Sequence, residues 1–162
     1  MAIRQKTVVP VRMEANCPTH ARTEVAVRDL VAIMDEPVER GGTNQGASPT
    51  ETVCAALLAC TNVILHRCAT AAGLTVQSLD LALNASFDRR GVMLEEEIDT
   101  PFPEVELNIT LSALGTEAAL QETKTNLKRF CPVSKLFAGS GSTIIENWSV
   151  TLQNKESAND DV

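Results

Sequence analysis

Aromatic side chains are scarce in this sequence: one tryptophan, four phenylalanines and no tyrosine, 3% of the chain. Stacking platforms for nucleic-acid bases are therefore missing. Positive charge is also short. Fourteen lysines and arginines stand against 21 aspartates and glutamates, a net charge of −7. A basic surface is what displaces counterions from nucleic acid or anionic lipid, so neither is expected as a partner. No apolar run approaches the roughly 18 residues that a membrane span needs. The start, Met1 to Glu14, has only Val8-Val9-Pro10-Val11 as an apolar stretch, too short for a signal peptide. The expectation is a soluble, cytoplasmic protein.

The motif C-x-x-C is absent too, and His20 and His66 do not fall at metal-ligand spacing with any cysteine. Zinc is disfavoured, and no metal or cofactor is expected. Five cysteines are present, at 17, 54, 60, 68 and 131, and an odd number cannot all pair within one chain. In a reducing compartment free thiols are the default, and a pair that matters is catalytic before it is structural.

What is there suffices for one ordinary domain. The chain has 162 residues, 44% of them apolar, enough for a core without staples. Residues 6–13 alternate weakly and predict a strand. Residues 22–35 predict a second β region, with Arg28-Asp29 as a candidate turn. Gly41 to Ala47 is a loop of turn formers. Ser48-Pro49-Thr50-Glu51 then opens a helix, with Ser48 as N-cap, Pro49 at N1 and Glu51 completing a capping box. It runs to Ala72 and stops at Gly73. No charge occurs from Thr52 to Leu65. A helix that is apolar nearly all round must be central, and in so small a chain its coverage suggests a second subunit.

Beyond it, residues 75–88 and a segment from Val105 predict strands. Residues 116–130 predict a helix, Cys131 to Gly139 a short helix, and residues 142–152 a last strand. Residues 1–153 are read as a single domain, and 154–162 as a disordered acidic tail. The order has no regular βαβ alternation, so the fold class is α+β.

Cys60 lies on the helical stripe Val53, Leu57, Cys60, Ile64, Cys68 and Ala71. It reads as a small core residue or, if a cation stands beside it, as a reactive thiol. The helix dipole cannot serve it, because it sits about three turns from the helix start. Cys131 precedes a proline at a helix entry. It reads as a plain turn or as an N-cap thiol whose thiolate the free N–H groups stabilise. Cys54 and Cys68 read as packing residues, as does Cys17 unless the loop around Pro18 exposes it. Glu51 is the one charge near the long helix's start. It falls on the opposite face from Cys60, about 13 Å away along the axis, so it could act only across an interface or through an arginine. The upstream arginines are Arg22, Arg28 and Arg40.

The combination Gly41-Gly42-Thr43, Ser48-Pro49-Thr50-Glu51, Ala59-Cys60-Thr61 and Phe130-Cys131-Pro132-Val133 resembles the OsmC/Ohr family of osmotically inducible and organic hydroperoxide resistance proteins. The match runs from about residue 6 to 152 and looks closer to the broad OsmC-like branch. The resemblance implies an OsmC-like α+β fold in an intertwined homodimer with a long central buried helix. It also implies a cysteine-based peroxidase acting on organic hydroperoxides. Cys60 would be the peroxidatic thiolate and become a sulfenic acid, Cys131 would close a disulfide with it, and a dithiol such as a lipoyl group would reduce that disulfide. Glu51 would hold an arginine that supports the thiolate. Arg22 is the first choice, followed by Arg28 and then Arg40, since the Gly-Arg-Asp-Gly turn that marks this arginine is absent. The rival expectation is a non-catalytic OsmC-like dimer, a thiol redox sensor or a binder of small hydrophobic molecules. Thiol–disulfide exchange on protein partners comes third, for want of a C-x-x-C.

Overall fold

The computed structural model describes residues 7–154. The chain forms two compact units that meet in sequence between Val53 and Cys54. The first contains a meander of β1 (Glu14–Asn16), β2 (Thr23–Val27) and β3 (Leu30–Met34), paired antiparallel in that order. Arg28, in the left-handed region at φ 56°, turns β2 into β3. Residues 7–13 form no strand, contrary to the sequence expectation; residue 6 lies outside the described residues. Pro10 has no N–H to give a ladder, and Val8, Val9 and Val11 are all exposed, so nothing buries the alternation.

After β3 the chain makes one 3-10 turn at Val38–Arg40 and a tight loop. Gly42 and Gly46 allow that loop to double back. A Cβ on Gly42 would stand 1.7 Å from the Glu36 carbonyl oxygen, and one on Gly46 2.2 Å from that of Ile33. The loop ends at α1 (Pro49–Ala72), whose C-terminus is the left-handed Gly73. Both boundaries agree with the capping signals.

The second unit is a three-stranded sheet and its helices: β4 (Thr75–Ala85), β5 (Glu104–Leu114), α2 (Glu117–Phe130), α3 (Pro132–Gly139) and β6 (Thr143–Gln153). β4 pairs antiparallel with β5, and β6 parallel to it, so α2 and α3 form the crossover that a parallel pair requires. β4 is shorter than predicted. Beyond Ala85 the chain leaves the strand, and Phe87 packs on Phe102 at 5.1 Å between ring centres. The alternating residues Val105, Leu107, Ile109, Leu111 and Ala113 of β5 are all buried. They join Leu57, Leu65 and Ala69 of α1, Ala119, Leu120 and Leu127 of α2, and Phe137 of α3 in one core.

Only one stripe of α1 is buried by its own chain: Leu57, Thr61, Leu65, Cys68 and Ala69. Val53 and Val63 remain 45% and 48% exposed. By length and composition α1 would suffice to cross a membrane, a test that core helices also pass. Here its stripe is part of the core around β5.

Candidate functional site

None of the five cysteines is in a disulfide. Two of them meet in the second unit. Cys60, half-buried on α1, packs against the core. Cys131 is 1% exposed and occupies the junction of two helices. Its N–H donates to the Leu127 carbonyl oxygen at 3.0 Å, closing α2, and its Sγ accepts from the Ser134 N–H at 3.5 Å, opening α3. Pro132 at N1 has no N–H to leave unpaired, which suits this junction.

An N-cap position by itself favours a thiolate. The balance runs the other way. Burial pushes the thiol above its ordinary value, and the neighbouring Cys60 thiol adds to the rise. The N–H groups of Ser134 and Val133 lower it, but by less than burial raises it. Desolvation thus outweighs the N–H groups at the start of α3, and the Cys131 thiol is held above its ordinary value. Cys68, buried on the same side of α1, is also pushed up by burial. Cys17 is exposed, with its sulfur 3.9 Å from the Thr23 hydroxyl. Cys54 is half-buried.

Glu51 forms the capping box. Its Oε2 accepts from both the N–H and the hydroxyl of Ser48, each at 2.8 Å. In return the Glu51 N–H donates to Ser48 Oγ at 3.4 Å. Ser48 itself is 1% exposed. These two bonds hold the Glu51 carboxyl below its ordinary value, and the charge of Arg40 adds to them. Among the upstream arginines, then, Arg40 is the one whose charge reaches Glu51; it also pairs with Glu36 at 3.3 Å. Arg22 pairs with Glu24, and Arg28 is exposed at the β2–β3 turn.

Sequence reasoning passed over Asp35. It follows the last residue of β3, is wholly buried, and pins the loop that leads into α1. Its Oδ2 accepts from the Thr43 N–H at 3.0 Å, the Thr43 hydroxyl at 2.6 Å and the Gln45 N–H at 3.1 Å. The Thr43 hydroxyl does most to hold this carboxyl below its ordinary value. The available signal was an acid at a strand end, followed by a loop rich in turn formers with free N–H groups. No group of three or more His, Cys, Asp or Glu side chains fit to hold a metal occurs among the described residues.

Residues 42–146 match the family model OsmC, described as OsmC-like protein. Solved structures share the fold. An OsmC-like protein from Mycoplasma pneumoniae is 18% identical with a TM-score of 0.69, the match covering 89% of this chain and 97% of that one. An organic hydroperoxide resistance protein OsmC from Legionella pneumophila is 17% identical with a TM-score of 0.62, covering 90% and 99%. An OsmC-like protein of unknown function from Vibrio cholerae is 9% identical with a TM-score of 0.68, covering 88% and 100%. At such identities these likenesses establish the fold. No curated protein matches the sequence.

Proposed function

The chain belongs to the OsmC-like protein family, and we propose that within it the protein is a cysteine-based peroxidase that reduces organic hydroperoxides. The observation that carries this reading is the meeting of the Cys60 and Cys131 thiols in one unit of the fold. The Cys60 thiolate attacks the terminal oxygen of R–O–OH. The O–O bond breaks, the alkoxide leaves as an alcohol after taking a proton, and Cys60 becomes a sulfenic acid. Cys131 sulfur then attacks the Cys60 sulfur. Hydroxide leaves as water with the proton from the Cys131 thiol, and a disulfide forms. An external dithiol reduces it by two exchanges and becomes a disulfide itself.

Support comes from the unequal exposure of the pair. A half-buried Cys60 can meet a peroxide, whereas a buried, protonated Cys131 survives until its partner is oxidised. It also brings the proton that the departing hydroxide needs. Glu51 and Arg22 keep here the supporting roles that the resemblance assigns, with Arg40 as the rival arginine because its charge acts on Glu51. The proposal extends to a homodimer in the cytoplasm, with residues 1–153 as one domain. The family match runs across the division between the two units, and α1, uncharged from Thr52 to Leu65, has a face that its own chain leaves open.

The test mixes purified protein with an alkyl hydroperoxide and dihydrolipoamide. Peroxide is consumed, and Cys60→Ser abolishes the consumption. Without the dithiol, intact mass shows the loss of two hydrogens, mapped to a Cys60–Cys131 peptide pair. A protein that neither consumes peroxide nor loses those hydrogens is a non-catalytic dimer, and the peroxidase reading falls.

A further inference from the structure

The first unit carries a charged arrangement that the proposed chemistry leaves unexplained. β2 and β3 pair Thr23 with Met34 and Glu24 with Ile33. The same register, continued one step past the ends of the strands at Thr23 and Met34, sets Arg22 against Asp35. Strand alternation places them on the face that also carries Glu24. Residues opposed in this way hold their Cβ atoms about 5 Å apart. Along that face the order is carboxylate, guanidinium, carboxylate: Glu24, Arg22, Asp35.

Two atoms in this row are buried without a hydrogen bond: Arg22 Nε, a donor, and Asp35 Oδ1, an acceptor. Each side chain is also held at one other atom. Arg22 Nη2 donates to Glu24 Oε1. Asp35 Oδ2 is saturated by Thr43 and Gln45. A buried polar group without a partner is destabilising, more so when it bears charge. Here the two unpaired atoms are complementary and belong to cross-strand neighbours, so a single interaction relieves both. No direct bond joins the two atoms, so the link is one water that accepts from Nε–H and donates to Oδ1.

We infer that Asp35 is a positioning residue for Arg22: it holds the guanidinium at Nε while Glu24 holds it at Nη2, leaving Nη1 as the free donor end. Asp35 can do this because the Thr43–Gln45 loop fixes the carboxylate in place. An arginine held at two points has little rotamer freedom left to lose when an anion arrives. The structural part of this inference stands apart from the peroxidase reading, on which only its kinetic consequence rests.

Two measurements on the full chain test it. In the first, nitrogen-15 NMR follows the arginine Nε–H signals, with Arg22 identified by its loss in Arg22→Lys. The Arg22 Nε–H exchanges with water at least about tenfold more slowly than those of the exposed Arg12 and Arg28. Asp35→Asn keeps an oxygen for Thr43 and Gln45 but turns an amide NH2 towards Nε, and it removes that protection. Thr43→Val deletes only a bond to Oδ2 and leaves the protection in place. In the second, Asp35→Asn lowers kcat/KM for hydroperoxide about as much as Arg22→Lys and adds nothing to it in the double variant. Fast exchange in the wild type, protection unchanged in Asp35→Asn, or losses that multiply would each overturn the inference. If Asp35→Asn does not fold, the wild-type rate and Thr43→Val decide it. The exchange measurement also works on Cys60→Ser, so failure of the peroxidase reading and failure of this inference are separable.

Discussion

Cys131 shows how a local signal is overruled by its surroundings. Cys-Pro at a helix entry is a thiolate signal on paper, and the Ser134 N–H does point at the sulfur. Burial nevertheless wins and raises the thiol. Cys131 and Cys68 are therefore expected to react with iodoacetamide at mildly alkaline pH much more slowly than the exposed Cys17, as peptide mass spectrometry would show; equal rates would contradict their burial. A raised folded-state value also makes stability fall as pH climbs past the thiol's ordinary value of 9.0. Glu51 has the opposite sign. Its folded value lies below the ordinary 4.5, so its contribution is present above that pH and lost as pH falls through the folded value. Urea unfolding at pH 7 and pH 3 should then show a smaller acid loss in Glu51→Gln than in the wild type. Ser48→Ala removes the N-cap and should cost about 1 kcal/mol.

The elements were legible where their signals are local. The Ser48 cap, the Gly73 stop and the β5 alternation placed α1 and β5 almost to the residue. The strand predicted from residues 6–13 is absent over 7–13 because alternation makes a strand only when something buries one face, and Pro10 blocks the ladder. Two glycines, one ending a helix and one within a loop, separate backbone constraint from mere flexibility. Gly139 closes α3, and a Cβ there meets nothing within 4 Å. Gly139→Ala should add about 0.5–1 kcal/mol of stability by lowering the entropy of the unfolded chain. Gly42→Ala drives a Cβ into the Glu36 backbone and should lower the melting temperature or prevent folding. In α1, Leu65 is fully buried, so Leu65→Ala should cost about 2–5 kcal/mol in the same denaturant experiment.

At the scale of the whole molecule, α1, uncharged from Thr52 to Leu65, poses the main question. Its own chain covers one stripe and leaves Val53 and Val63 about half exposed. If a second copy covers that face, light scattering gives twice the mass of the chain, and Val63→Glu gives the single mass. A wild-type monomer would remove the dimer from the proposal. Little else about the assembly could be read from a pattern of apolar residues, because an uncharged helix face says that it needs cover and not what supplies it.

The sequence by itself determined what short-range chemistry controls: the helix caps, the turn at Arg28, the strand periodicity, the acidic balance, and the motifs that point to the OsmC-like family. Tertiary structure alone decided that Cys131 is buried and its thiol raised, that Arg22 pairs with Glu24, and that Asp35 is the buried anchor of a loop. The physical reason is the same in each case. Desolvation and the pairing of buried polar groups depend on what packs around an atom, and residues far apart in the chain supply that packing.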